Sequence, residues 1–104
     1  MYCFLETKLF SRLVVEYLSD DEYQELQKVL IDDPEAGTVV PGTGGVRKLR
    51  WRTAGRGKRG GYRVIDFARV EHGAIWMLTM YPKNVKETIA AHVLRAIRDE
   101  VENE

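Results

Sequence analysis

The chain has 104 residues, of which 44% are hydrophobic and 31% are charged. A chain of this length forms one domain and can bury a core without disulfides or structural metals, so we expect a single domain over residues 1–104. The single cysteine, Cys3, excludes an internal disulfide and a cysteine-rich zinc site. No apolar run approaches the roughly 18 residues of a membrane span, and the first residues lack the basic and apolar regions of a signal peptide. We therefore expect a soluble cytoplasmic protein with no membrane partner.

The charges of the chain are unevenly distributed. Sixteen Lys and Arg residues balance sixteen Asp and Glu residues, but residues 47–69 hold nine of the bases and only one acid, Asp66. The nine bases of this segment, called here the basic block, are Arg47, Lys48, Arg50, Arg52, Arg56, Lys58, Arg59, Arg63 and Arg69. Such a block creates a local positive field that can hold a polyanion, although a well-solvated pair of strands is the alternative.

The N-terminal part of the chain predicts a strand followed by two helices. Residues 2–5 are aromatic and apolar, which is typical of a short strand. Thr7 can cap a first helix with apolar residues at helical spacing, and Ser19 with Glu22 forms a capping box for a second helix. The second helix should end near Asp33, before a proline. Two amphipathic helices joined by a short link predict a helical hairpin that needs a sheet to pack against.

The rest of the chain predicts a sheet and a last helix. Residues 34–45 are a turn-rich connector. The strands that follow are predicted at 46–52, 62–70 and 74–81, with a tight hairpin link at 71–73. Asn84 and Glu87 form a second capping box, which predicts a final helix. The order β-α-α-β-β-β-α indicates an α+β fold: a small, mainly antiparallel sheet with an N-terminal helical hairpin and a C-terminal helix.

Alternation along the predicted strands suggests where the cations meet. Leu49 and Trp51 should point into the core, so Lys48, Arg50 and Arg52 should line the open face of the sheet. Arg63 begins the next strand, and Lys83 follows the last one. If the three strands are neighbours, these cations converge on one concave surface.

A glycine-rich loop lies between the first two of these strands. Residues 55–61 contain four glycines and three cations, Arg56, Lys58 and Arg59. The loop is not a phosphate-binding loop of NTPases, because Gly-Lys-Ser/Thr is absent and a strand follows. Two interpretations remain open: the loop is a flexible segment that binds nucleic acid, or it is a hairpin turn without a function.

Other kinds of catalytic site have little support in the sequence. His72 and His92 have no evident catalytic partner, and no Cys, His and Asp spacing indicates a metal site. Asp66 is the only acid of the predicted sheet, so no pair of carboxylates is evident. We expect no metal and no cofactor.

Three runs together resemble the RelE/HigB family of bacterial toxins: residues 42–52, residues 57–65 and residues 78–84. The likeness is closest to HigB-like members with a Gly-Lys-Arg-Gly-Gly-x-Arg loop, and it spans nearly the whole chain. The resemblance implies a RelE/ParE-like fold and a toxin of a type II toxin–antitoxin system. It also implies a ribosome-dependent endoribonuclease, an mRNA interferase that cuts translated mRNA and inhibits translation. The implied partners are the ribosome, mRNA and a HigA-like antitoxin with a helix-turn-helix domain.

The resemblance and the basic block together suggest site residues. The catalytic candidates are Lys48, Arg50, Lys58, Arg63 and Lys83. The candidates for RNA binding are Arg47, Arg52, Arg56, Arg59 and Tyr81. The sequence departs from the family where some RelE relatives have a tyrosine near the C-terminal helix, since Ile89 aligns near that place and Tyr81 is the only aromatic residue close by.

RNA can be cut without a metal ion when its 2′-hydroxyl attacks the adjacent phosphorus and the 5′-oxygen leaves. Arginines suit the negative charge of that transition state, which points to Arg50 and Arg63. Lysines surrounded by like charge can transfer protons, which makes Lys48, Lys58 and Lys83 candidates. Two alternatives stay open: a ParE-like DNA gyrase poison without ribonuclease activity, and a nucleic-acid-binding module without catalysis.

Overall fold

The computed structural model describes residues 2–52, 61–85 and 89–103. The predicted loop residues Arg56, Lys58 and Arg59 lie outside these ranges. The elements in chain order are β1 (Cys3–Glu6), α1 (Lys8–Tyr17), α2 (Asp20–Asp32), β2 (Thr38–Val39), β3 (Arg47–Trp51), β4 (Tyr62–Arg69), β5 (Ala74–Pro82) and α3 (Ala91–Glu102).

The strands form a five-stranded sheet in the order β1-β5-β4-β3-β2. β1 pairs with β5 in parallel, and the other neighbours are antiparallel. This α+β arrangement confirms the predicted fold class. β5 lies between β1 and β4 and is mostly buried, as its apolar sequence predicted. The short edge strand β2 was missed, because two residues among turn-forming neighbours carry no alternation signal.

Side-chain caps fix the starts of the first two helices. The Thr7 hydroxyl accepts a hydrogen bond from the Phe10 amide at 3.0 Å. Ser19 and Glu22 form the predicted capping box, with each side chain accepting from the other residue's backbone amide. Both caps satisfy amides that a helix terminus leaves without an internal partner. The predictions for α1 and α2 are therefore confirmed.

The sheet has a core on each face. Buried residues of α1 and α2 pack on one face, against Val64, Ile75 and Met77 among others. On the other face, Leu94 and Val101 of α3 belong to a cluster of buried side chains that includes Val46, Ile65, Phe67 and Leu78. Leu49 and Trp51 pack with the first core and Val46 with the second, so the predicted alternation along β3 is confirmed. Within the described ranges, no helix combines the length and the apolar character that a bilayer crossing needs.

The predicted start of the last helix was wrong. Asn84 does not cap it: the Val85 amide bonds the Pro82 carbonyl at 3.1 Å, which closes a turn directly after β5. The helix starts at Ala91, and its N-cap residue Ala90 makes no side-chain capping bond. The pattern at Asn84 thus misplaced the start of this helix, because the chain first turns at the end of β5. Glu87 lies outside the described residues.

The link between β4 and β5 is a short 3₁₀ turn, Val70–His72, closed by Gly73. Gly73 has a φ of 62°, a left-handed conformation that glycine adopts at little cost. Its amide bonds the Val70 carbonyl at 3.0 Å. The predicted tight link at 71–73 is therefore confirmed.

Asp66 is fully buried in β4, where it stands across the ladder from Arg47. Neither carboxyl oxygen has a hydrogen-bond partner within the described ranges. Burial raises the pKa of Asp66 to about 7, and the positive charge of Arg47 opposes part of this shift. The folded protein therefore holds a proton on Asp66 at pH values where the unfolded chain has lost it.

This difference in proton binding predicts a pH-dependent stability. Because the pKa of Asp66 is higher in the folded state, its contribution to the free energy of unfolding is complete below about pH 4. The contribution decreases as the pH rises towards 7, by about 1.4 kcal/mol for each unit of pKa shift. Asp66→Asn removes the titration. We expect urea unfolding between pH 4 and 8 to show wild type losing stability relative to Asp66→Asn as the pH rises. If the free energies of unfolding of the two proteins changed in parallel with pH, the raised pKa of the buried Asp66 carboxyl would be contradicted.

Candidate functional site

Three neighbouring strands bring their polar side chains to one end of the sheet face that packs against α3. Arg50 of β3 is paired with Arg63 of β4, and Arg63 is paired with Tyr81 of β5. Directly opposed residues in a sheet point to the same face. Tyr81 is partly buried and packs against the core beneath α3.

These strand ends surround a hollow of about 150 Å³, called here the first hollow. It is lined by Arg50, Trp51, Arg52, Gly61, Arg63 and Lys83. Four of these six residues are cations: Arg50 lies in β3, Arg52 directly after it, Arg63 in β4 and Lys83 in the turn after β5. The structure thus brings Arg50, Arg63 and Lys83 together, although they are distant in sequence.

The described part of the chain gives the cations of the first hollow no anionic partner. Within residues 2–52, 61–85 and 89–103, no ion pair or side-chain hydrogen bond involves Arg50, Arg52, Arg63 or Lys83. Arg50, Arg52 and Lys83 are exposed and Arg63 is half-buried. Like charges on adjacent strands repel each other, so an anion in the hollow would relieve this repulsion.

A close approach of two backbones shapes the hollow at Gly61. A Cβ atom at this position would lie 2.2 Å from the Trp51 carbonyl oxygen, so no other residue fits without movement of the strands. The Gly61 carbonyl accepts a hydrogen bond from the Lys83 amide at 2.8 Å. Gly61 therefore ties the end of β3 and the turn after β5 to the start of β4.

Lys48 lies beside the first hollow. It lines a second hollow with Ala36, Thr38, Leu49 and Arg50, and Arg50 therefore borders both. The second hollow opens at the start of β2, where the residues that precede Thr38 leave the edge of β3.

Arg47 lies apart from both hollows. Its Nη1 donates to the carbonyl oxygens of Gly37 at 2.8 Å and Glu35 at 3.3 Å. Its Nη2 lies 3.8 Å from the Glu35 carboxylate. This guanidinium anchors the connector to β3, so the geometry gives it a role in the fold.

Sequence reasoning missed several lining residues. Gly61 belongs to the glycine-rich loop, and its position before a strand was the available signal. Thr38 and Ala36 carried no signal, because their role depends on how the edge strand β2 meets β3. Among the described residues, no group of three or more His, Cys, Asp or Glu side chains could hold a metal ion.

The side chains that line the first hollow are of the types that bind phosphate-like anions. Its arginines present planar sets of N–H donors that match phosphate oxygens in pairs, and Lys83 adds a mobile positive charge. Donors on strands of one sheet are held in place more firmly than donors on loops. The same donors suit the additional negative charge that develops during phosphoryl transfer.

A comparison with solved structures shows that the fold is shared with a known toxin. The chain is similar to the Escherichia coli toxin RelE, in the free-state structure of a variant with two arginines replaced by alanine, with a TM-score of 0.61 and 17% sequence identity. The match covers 93% of this chain and 96% of that one. No family model matches the sequence. The three helices and the mostly antiparallel sheet are thus a RelE-like fold.

The close approach at Gly61 yields a prediction. Gly61→Ala should cost about 1–3 kcal/mol of stability, since the new methyl group collides with the backbone of β3. It should also weaken binding of inorganic polyphosphate in calorimetry, because the strands around the first hollow must separate.

The matched control is Gly73→Ala, at the opposite end of β4 and β5. It should cost about 1 kcal/mol because of the positive φ, yet leave polyphosphate binding unchanged. Equal loss of polyphosphate binding in both variants would show that Gly61 has no special part in shaping the hollow.

Proposed function

We propose that the protein is the toxin of a toxin–antitoxin pair and acts as an endoribonuclease on translated mRNA. The observation that carries the proposal is the first hollow, where Arg50, Arg52, Arg63 and Lys83 meet without anionic partners in the described part of the chain. The RelE-like fold supports it, since the neighbour of known structure is a toxin. The resemblance of the sequence to the RelE/HigB family points to the same activity.

The proposed reaction uses the RNA's own 2′-hydroxyl. Its oxygen bonds to the adjacent phosphorus while the bond from phosphorus to the 5′-oxygen breaks, which leaves a 2′,3′-cyclic phosphate and a 5′-hydroxyl. One proton leaves the 2′-oxygen and one reaches the 5′-oxygen. We assign Arg50 and Arg63 to the charge on the phosphorane, because they are paired across β3 and β4 and face one hollow.

Lysines are the candidates for proton transfer. Lys83 lines the hollow with both arginines, and Lys48 lies on the other side of Arg50. These positions support Lys83 as the first candidate to exchange protons with the reacting oxygens and Lys48 as the second. Lys58, the third candidate, lies outside the described residues.

The partners follow from the same proposal. Binding of mRNA on the ribosome would supply the orientation that an exposed hollow of this size lacks. A HigA-like antitoxin would neutralise the toxin, and acidic residues of such a partner would pair with the basic block.

Replacement of Arg63 tests the site. Arg63→Ala should abolish growth arrest when the protein is induced in bacteria, because a donor to the phosphorane is lost, while circular dichroism and thermal unfolding show a folded protein. The matched control is Arg69→Ala, since Arg69 lies on the same strand, roughly 20 Å away at its other end. Full growth arrest by Arg63→Ala would remove the site assignment.

The reaction itself is tested by mapping transcript ends. Induction of wild type should produce new mRNA 5′ ends by primer extension, and purified protein should cut mRNA only when ribosomes are present. Growth arrest without new 5′ ends would instead indicate a gyrase poison. Salt-dependent RNA binding that leaves RNA intact would indicate a binding module.

A further inference from the structure

The second hollow is a neighbour of the first one and shares one lining residue with it. Arg50 borders both, with Arg63 and Lys83 on one side and Lys48 and Thr38 on the other. Lys48 and Arg50 are two residues apart on β3, so their side chains leave the same face roughly 6.6 Å apart. This spacing is comparable to that of successive phosphates in an extended nucleotide chain.

The backbone at this edge adds a donor. The Val46 carbonyl accepts from the Val40 amide and the Val46 amide donates to the Thr43 hydroxyl, so the N–H and C=O groups of Val46 lie on the β2 side of the sheet. By the alternation of a strand, those of Lys48 and Arg50 point the same way. Pairing with β2 reaches only as far as Lys48. The Arg50 amide is thus directed to the open edge beside the second hollow.

The wall of the second hollow is held in place by the fold. Arg47 fixes the connector through the carbonyls of Glu35 and Gly37. At Gly37 a Cβ atom would lie 2.9 Å from the Lys48 carbonyl oxygen, so the connector can approach β3 this closely only with glycine. Thr38 is consequently held directly across from Lys48.

We propose that the second hollow is a phosphate subsite, in which Lys48 and the Arg50 amide hold the phosphate next to the one in the first hollow, so that proton transfer in the first hollow falls to Lys83. The proposal rests on the proposed function and extends it: the ligand is a single-stranded polynucleotide with at least two successive phosphates, and Thr38 and Ala36 form the outer wall. Continuity through Arg50 favours one polynucleotide strand over a separate ligand in each hollow.

The test uses Thr38→Glu and Thr38→Gln in the full-length protein. Thr38 is exposed and lies opposite Lys48, so the glutamate places a carboxylate beside that ammonium group, while the glutamine has the same size without the charge. The probes are fluorescent 2′-O-methyl oligoribonucleotides, which cannot be cleaved, with one, two or four phosphates. Affinity is measured by fluorescence anisotropy over a range of salt concentrations.

In wild type and Thr38→Gln, we expect binding to tighten severalfold between the probes with one and two phosphates. Thr38→Glu should lose this gain and bind the one-phosphate probe as wild type does. The slope of log affinity against log salt for the longer probes should decrease in magnitude by about 0.7, the value for one phosphate contact on a single strand. Ala36→Glu with Ala36→Gln repeats the comparison from the other wall residue, in case a Thr38 variant does not fold.

Two outcomes overturn this proposal alone. In both, wild type cuts mRNA. In the first outcome, Thr38→Glu binds all probes as Thr38→Gln does. In the second, the affinity for RNA does not depend on the second phosphate, whereas wild type binds an acidic peptide and Thr38→Glu does not. The second outcome would assign the edge of β3 to a protein strand. Absence of both RNA binding and mRNA cleavage in wild type would instead contradict the proposed function.

Discussion

The site depends on how far α3 covers its face of the sheet. The buried cluster under α3 includes Val46, Ile65 and Leu78, whereas the row formed by Arg50 and Arg63 has no buried member. A helix laid over that row would have to bury the arginines, at a cost of several kcal/mol for each unpaired charge. The apolar stripe of α3 therefore packs over the part of this face where β4 and β5 are apolar, beside Val46, and the charged strand ends stay open to solvent.

Rigidity of the charged end comes from groups that carry no functional chemistry. Gly61 permits the close contact with Trp51 and binds the Lys83 amide, and Gly37 permits the contact with Lys48. Both contacts join backbone to backbone, so they place the strands and leave the cationic side chains unengaged. This division explains why repelling cations can remain on neighbouring strands: the pairing of the strands is stabilised by backbone hydrogen bonds and by the cores on either face.

Much of this arrangement could be predicted from the sequence, because it depends on local patterns. The caps at Thr7 and Ser19 and the alternation along β3 each follow from a few neighbouring residues. The start of α3 could not be predicted in this way, since the pattern at Asn84 competes with the turn that ends β5. The pairing of Arg50 with Arg63 required knowledge of which strands are neighbours, and β2 required knowledge of where the connector meets β3. Both are long-range properties.

Charge counting along the basic block identifies a region but overstates the number of cations available to a ligand. Arg47 is used to anchor the connector and faces Asp66, and Arg69 lies at the far end of β4. Two of the nine bases therefore contribute little to the hollows, while Lys83, from outside the block, lines one of them. Register decides which charges act together, because opposed side chains share a face and charges at opposite ends of a strand are screened from each other by salt. The positive field at the two hollows is thus set mainly by the pairing of β3, β4 and β5, and only secondarily by the composition of the basic block.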